Sequence, residues 1–104
     1  MRFMIVVHPQ FPIPPEMLPG LMEGFTDWWE RYRDRWLAAG FYAGEPGGGG
    51  VCEVPDEVEF NRMMMEWPLT PFSTIESRPL VEMDTALAQW REIIAAMAVG
   101  QARP

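Results

Sequence analysis

The sequence predicts a single α+β domain over residues 1–104, with elements in the order β-α-β-β-α-β and one added helix at the end. Three stretches carry that prediction. The first is a short β-branched run, Ile5-Val6-Val7, closed by Pro9. The second is a long amphipathic helical pattern from Leu18 to Trp36. The third is Val51 to Leu80, which reads as strand, capped helix, proline-ruled turn and strand. Short strands interleaved with single helices and joined by a glycine-rich hairpin make a mainly antiparallel sheet carrying helices on one face.

The opening strand is expected over Phe3 to His8. Phe3, Ile5 and Val7 would lie on one face and Met4, Val6 and His8 on the other. Both sets are largely apolar, which places this strand inside the sheet. Pro9 to Pro15 contains four prolines and is a stiff connection, neither helix nor central strand. Pro15 suits a first helical turn, with Glu16 favourably near the helix N-terminus. Leu18, Leu21, Met22, Phe25, Trp29, Tyr32 and Trp36 then recur at spacings of three and four, an apolar helix face. Glu23, Asp27, Glu30, Arg31, Asp34 and Arg35 fill the other side. Gly40 is the expected helix stop.

Phe41 to Ala43 is expected as a short strand and Gly44 to Gly50 as a loose hairpin loop. Val51 to Val54 is the returning strand. Pro55-Asp56 opens the next helix, with Asp56 as cap and Glu59 at the capping-box position. Phe60, Met63, Met64 and Trp67 form its apolar stripe. Pro68 and Pro71 end the helix, and Phe72 to Arg78 is the last strand. Asp84 is expected to cap a final helix with Leu87, Trp90, Ile94 and Met97 on its apolar face. This order is that of a ferredoxin-like fold. Its uncovered sheet face would be hidden by a second copy, giving a dimeric α+β barrel.

Composition narrows the function. The chain of 104 residues is 48% hydrophobic, with 5 Trp, 6 Phe and 9 Met. That is too apolar for disorder, and rich enough to expect a homodimer or higher homo-oligomer. A net charge of −7 argues against nucleic acid. All 8 cations are arginine, which excludes a lysine Schiff base. Cys52 is alone, so neither a disulfide nor a zinc cluster is expected, and no cofactor motif is present. No long apolar run or leader pattern is visible; the expectation is a cytoplasmic protein acting on a small molecule, without membrane contact.

Val54-Pro55, Glu59-Phe60, the turn Trp67-Pro68-Leu69-Thr70-Pro71-Phe72, and Ile75-Glu76 with Leu80 resemble the muconolactone isomerase family. The resemblance implies ferredoxin-like subunits, barrel dimers or larger rings, and a cofactor-independent shift of a double bond in a small unsaturated lactone. This sequence departs from the family after its last strand. Val81-Glu82-Met83-Asp84 and a helix stand where the family carries a His-Pro-Ser-Ser-type tail.

Proton transfer beside a carbonyl needs a base near neutral pKa and a partner for the enolate oxygen. His8, the lone histidine, is the first candidate base, or it simply bonds a loop carbonyl before Pro9. Glu76 is an alternative base, or a structural partner of Arg78 on the same strand face. Arg78 could grip an enolate or carboxylate. Tyr32, Trp28, Trp36, Trp67 and Phe72 are the candidate substrate-binding residues, with Trp29 beside them; ordinary core packing is the alternative. Three functions compete: a proton-transfer isomerase or cyclase acting on an unsaturated lactone or polyketide-like aromatic, a cofactor-independent oxygenase, and a non-catalytic binding or assembly module.

Overall fold

The computed structural model describes residues 1–102. Four strands and three α-helices follow one another as β1 (Arg2–Pro9), α1 (Leu18–Tyr32), β2 (Trp36–Phe41), β3 (Gly48–Glu53), α2 (Glu57–Met65), β4 (Ser73–Leu80) and α3 (Met83–Ala102). The sheet order is β2-β3-β1-β4, and every pairing is antiparallel. The β-branched first strand lies inside the sheet, between β3 and β4.

Side chains alternate across a strand, so register fixes the face of each residue. Ile5 pairs with Gly50 and Ser77, and Val7 with Gly48 and Ile75. Phe3, Ile5 and Val7 therefore share the face covered by α1 and α2. Phe3, Ile5, Trp28, Tyr32, Cys52, Val54, Met63 and Trp67 form its buried core. The sequence suggested that both faces of β1 are buried; the opposite face is open, with Met4 and His8 exposed.

The first helix is shorter than its periodicity predicted. Leu18–Tyr32 is followed by a 3-10 turn over Arg33–Arg35, and Trp36 then enters β2 opposite Cys52. Trp36 continues the three-four spacing of α1, yet pairing with β3 captures it. Gly40 is consequently a strand residue rather than a helix stop. The buried line of α1 runs through Trp28 and Tyr32, while Leu18 and Met22 are exposed.

The second correction concerns the glycine run. Gly48–Gly50 is not loop but the first half of β3. Here backbone crowding demands glycine. A Cβ on Gly48, Gly49 or Gly50 would overlap the carbonyl oxygen of Gly40, Ile5 or Ala38 respectively. Only Tyr42 to Gly47 turns the hairpin, closed by the Tyr42 amide donating to the Gly47 carbonyl at 2.9 Å.

The second helix matches its local chemistry. The Asp56 carboxylate accepts from the Glu59 amide at 2.9 Å, capping the helix start. Glu59 turns its own carboxylate to Arg62 at 3.2 Å and Arg35 at 3.4 Å rather than back to the cap. Asp84 lies in the first turn of α3, which begins one residue before it.

That last helix projects from the body. The radius of gyration is 19.2 Å and the long axis 71 Å, against about 13 Å for a compact chain of this length. Twenty helical residues span about 30 Å. Its Leu87, Trp90, Ile94 and Met97 stripe is exposed, so it does not pack on its own subunit.

The crowding at β3 is testable beside a matched control. Gly49→Ala is expected to destabilise the fold by about 1–3 kcal/mol, because the new methyl meets backbone that cannot rotate away. Gly40→Ala has nothing within 4 Å of the added carbon and should be neutral or stabilise by about 0.4–1 kcal/mol. Urea unfolding of both variants separates the two outcomes.

Candidate functional site

A cavity of about 330 Å³ opens between the sheet and the two helices that cover it. Ile5 and Val7 of β1 form its floor together with Gly48 and Gly49 of β3. The glycines required by backbone crowding add no side chains to that floor. Phe25, Trp28 and Trp29 descend from α1, Met64 comes from the end of α2 and Trp67 from the turn after it. Trp36, Ala39, Gly40 and Phe41 of β2 complete the wall.

The aromatic wall is a connected array. The Trp28 ring centroid lies 5.9 Å from Phe25, 6.0 Å from Trp36 and 6.3 Å from Trp67. These are tilted and edge-on contacts, the arrangement that aromatic quadrupoles favour. The Trp28 indole donates to the Met63 carbonyl at 2.8 Å, fixing the ring between the helices. The buried indole nitrogens of Trp36 and Trp67 have no hydrogen-bond partner in the protein.

None of the lining residues titrates. Of the candidate site residues, the structure brings Trp28, Trp36 and Trp67, together with Trp29, to the cavity and leaves His8, Glu76, Arg78, Tyr32 and Phe72 outside its wall. Val6 pairs with Glu76, His8 with Thr74 and Met4 with Arg78. His8, Glu76 and Arg78 therefore lie on the open face, across the sheet from the cavity. Parity places them there: one residue along a strand reverses the face. His8 instead meets Tyr42, with ring centroids 6.0 Å apart. Among the described residues, Glu76 and Arg78 form no ion pair with each other. Phe72 sits in the 3-10 turn before β4.

Tyr32 lies behind the wall rather than in it. Its ring packs against Trp28 at 5.8 Å, and its hydroxyl donates to the Glu66 carboxylate. Arg31 donates to the same carboxylate at 2.9 Å, while Arg35 stands over the Tyr32 ring at 5.4 Å. The hydroxyl's bond to Glu66 holds that carboxyl below its ordinary range. The same bond pushes the phenol up, with burial adding to the effect. Arg31 is likewise raised, chiefly by Glu66. This cluster ties α1 to the end of α2 and steadies the tryptophans from behind.

Sequence reasoning missed Phe41, Met64 and the two floor glycines as cavity residues. The glycine signal was present: a run of small residues leading into Val51 and Cys52 marks close backbone approach in a strand as well as a loop. Phe41 could not be found that way, because its role depends on the true start of β2.

Comparison with known proteins finds no matching family model and no matching curated protein. Among solved structures, a crystal structure of muconolactone isomerase is similar at 25% identity with a TM-score of 0.68. The similarity covers 79% of this chain and 90% of that one. The two have related folds.

The Tyr32–Glu66 bond has a defined pH window. Glu66 is lowered in the folded state, so its contribution is present above the unfolded carboxyl pKa and lost as pH falls through the folded value. Tyr32 is raised, so its contribution is complete below the unfolded phenol pKa of about 10 and lost as pH rises through the folded value. In Tyr42→Phe, which leaves one tyrosine, phenolate absorbance should rise only above pH ~10. Adding Glu66→Gln should bring that titration down.

Proposed function

We propose that this chain binds a flat, predominantly apolar small molecule between the sheet, α1 and α2. The observation that carries the reading is a cavity of about 330 Å³ walled by Trp28, Trp29, Trp36 and Trp67, with no ionisable side chain in its lining. Such a site excludes water and aligns a planar ligand through ring contacts and dispersion. Unsaturated lactones and aromatic, polyketide-like metabolites are the compounds of suitable shape.

Isomerisation by proton transfer is a second reading, supported by the similarity to muconolactone isomerase. Shifting a double bond beside a carbonyl requires a general base within reach of the substrate. This cavity wall supplies none, so the base would enter from outside it. Binding without catalysis therefore fits the wall better.

A panel of fused-ring aromatics should quench tryptophan fluorescence, and Ala39→Leu, which enlarges a wall residue, should weaken binding at least several-fold. Binding unaffected by Ala39→Leu would count against this cavity. The same panel with unsaturated lactones in deuterated water distinguishes the two readings. Exchange at carbon that falls about 10²–10⁴-fold in His8→Ala would return the base role to His8. Ligand binding without exchange leaves a binding domain.

The subunit is read as ferredoxin-like and as half of a dimeric α+β barrel. Met4, Val6 and Val51 give the open sheet face an apolar centre, and the exposed α3 stripe adds to the apolar surface. Two copies packed through the open faces would bury that centre and enclose Glu76 and Arg78 at the contact. Light scattering at micromolar concentration should give at least a dimeric mass; a stable monomer would refute the assembly.

A further inference from the structure

The stripe that α3 leaves in solvent has a regular spacing. Met83, Leu87, Trp90, Ile94 and Met97 follow one another at four, three, four and three residues, and each is 44–71% exposed. A repeat of about 3.5 residues keeps one row of side chains in contact along a whole helix pair. Ala86, Ile93 and Gly100 border the row on one side, and Asp84, Arg91 and Ala98 on the other. Asp84 and Arg91 are both exposed, and among the described residues neither joins an ion pair.

We infer that α3 pairs antiparallel with α3 of a second copy of this chain, each Asp84 facing Arg91 of the partner subunit. Identical helices can share such a row through a twofold axis, because the same residues serve both sides. With the axis between Leu87 and Trp90, Leu87 meets Trp90 of the partner subunit and Met83 meets Ile94 of the partner subunit. The two opposite-charge pairs then fall on the border in both halves. A parallel pair would set Arg91 beside Ala86 and leave both charges unmatched. Exposed ion pairs add little affinity but choose the orientation, while burial of the apolar row drives association. A lipid surface is the poorer fit. The chain carries a net charge of −7 and α3 a single cation, whereas helices lying on membranes are rich in Lys and Arg on their polar face. The contact is separate from the cavity and from the open sheet face.

Cross-linking reads the orientation. Cys52 is fully buried, so an introduced thiol reacts alone. Asp84→Cys and Arg91→Cys proteins, mixed and treated with a short bismaleimide, should couple to each other severalfold faster than either couples to itself. Preference for like pairs would overturn the antiparallel assignment. Hydrogen exchange reads the pairing itself. A helix owes most of its stability to packing of its apolar face, so α3 amides should exchange severalfold more slowly as protein concentration rises. Leu87→Asp combined with Ile94→Asp should abolish that protection. Thr85→Asp combined with Gln89→Asp, which adds the same charge away from the row, should keep it. The body should stay folded in every variant, because the exposed stripe does not pack on it. Exchange independent of concentration, with no cross-link in any mixture, would overturn the pairing. Protection gained only on phosphatidylcholine vesicles would overturn it too, assigning the row to a lipid surface.

Discussion

Trp28 is the residue on which the rest of the body depends. Its indole N–H holds α1 to the backbone of α2 at Met63. Its ring touches Phe25 and Tyr32 of α1, Trp36 of β2 and Trp67 of the turn after α2. The bond to Met63 satisfies a buried donor, and the ring contacts add to the apolar burial. The same geometry separates the helices enough to leave a cavity above the sheet. Behind it, the shared Glu66 carboxylate binds Arg31 and Tyr32, closing the helix pair from the outside.

The sheet divides the molecule's chemistry by parity. The face under the helices carries Phe3, Ile5, Val7, Cys52 and Ile75; the open face carries Met4, Val6, His8, Glu76 and Arg78. Apolar recognition and ionisable groups are therefore segregated across one layer of backbone. A cavity without titratable walls can hold, orient and desolvate a ligand. Acid–base work within it requires a group brought from elsewhere.

Glycine connects fold to site. Gly48–Gly50 lets β3 approach both neighbours where a methyl would strike carbonyl oxygen. The same lack of side chains keeps the cavity floor low, so replacing these glycines would disturb strand packing and cavity shape together. The terminal helix belongs to a different regime. Its apolar stripe finds no partner within the subunit, and its 30 Å reach carries it beyond the body.

Much of the body was legible in the sequence because its signals are local. Ile5-Val6-Val7 before Pro9 specifies a strand, Asp56 with its amide partner three residues on specifies a helix start, and Pro68 and Pro71 end that helix. The tryptophan excess likewise pointed to Trp28, Trp36 and Trp67, which meet at one cavity. The face presented by His8, the strand identity of Trp36 and the inclusion of Gly48–Gly50 in β3 were decided by tertiary structure. Each depends on pairing between residues far apart in sequence: His8 with Thr74, Trp36 with Cys52, Gly49 with Val6. Helical spacing can extend past a helix end, and a glycine run suits either a loop or a crowded strand. Only the hydrogen-bonded register chooses between them, because it alone sets which backbone lies alongside and which face each side chain takes.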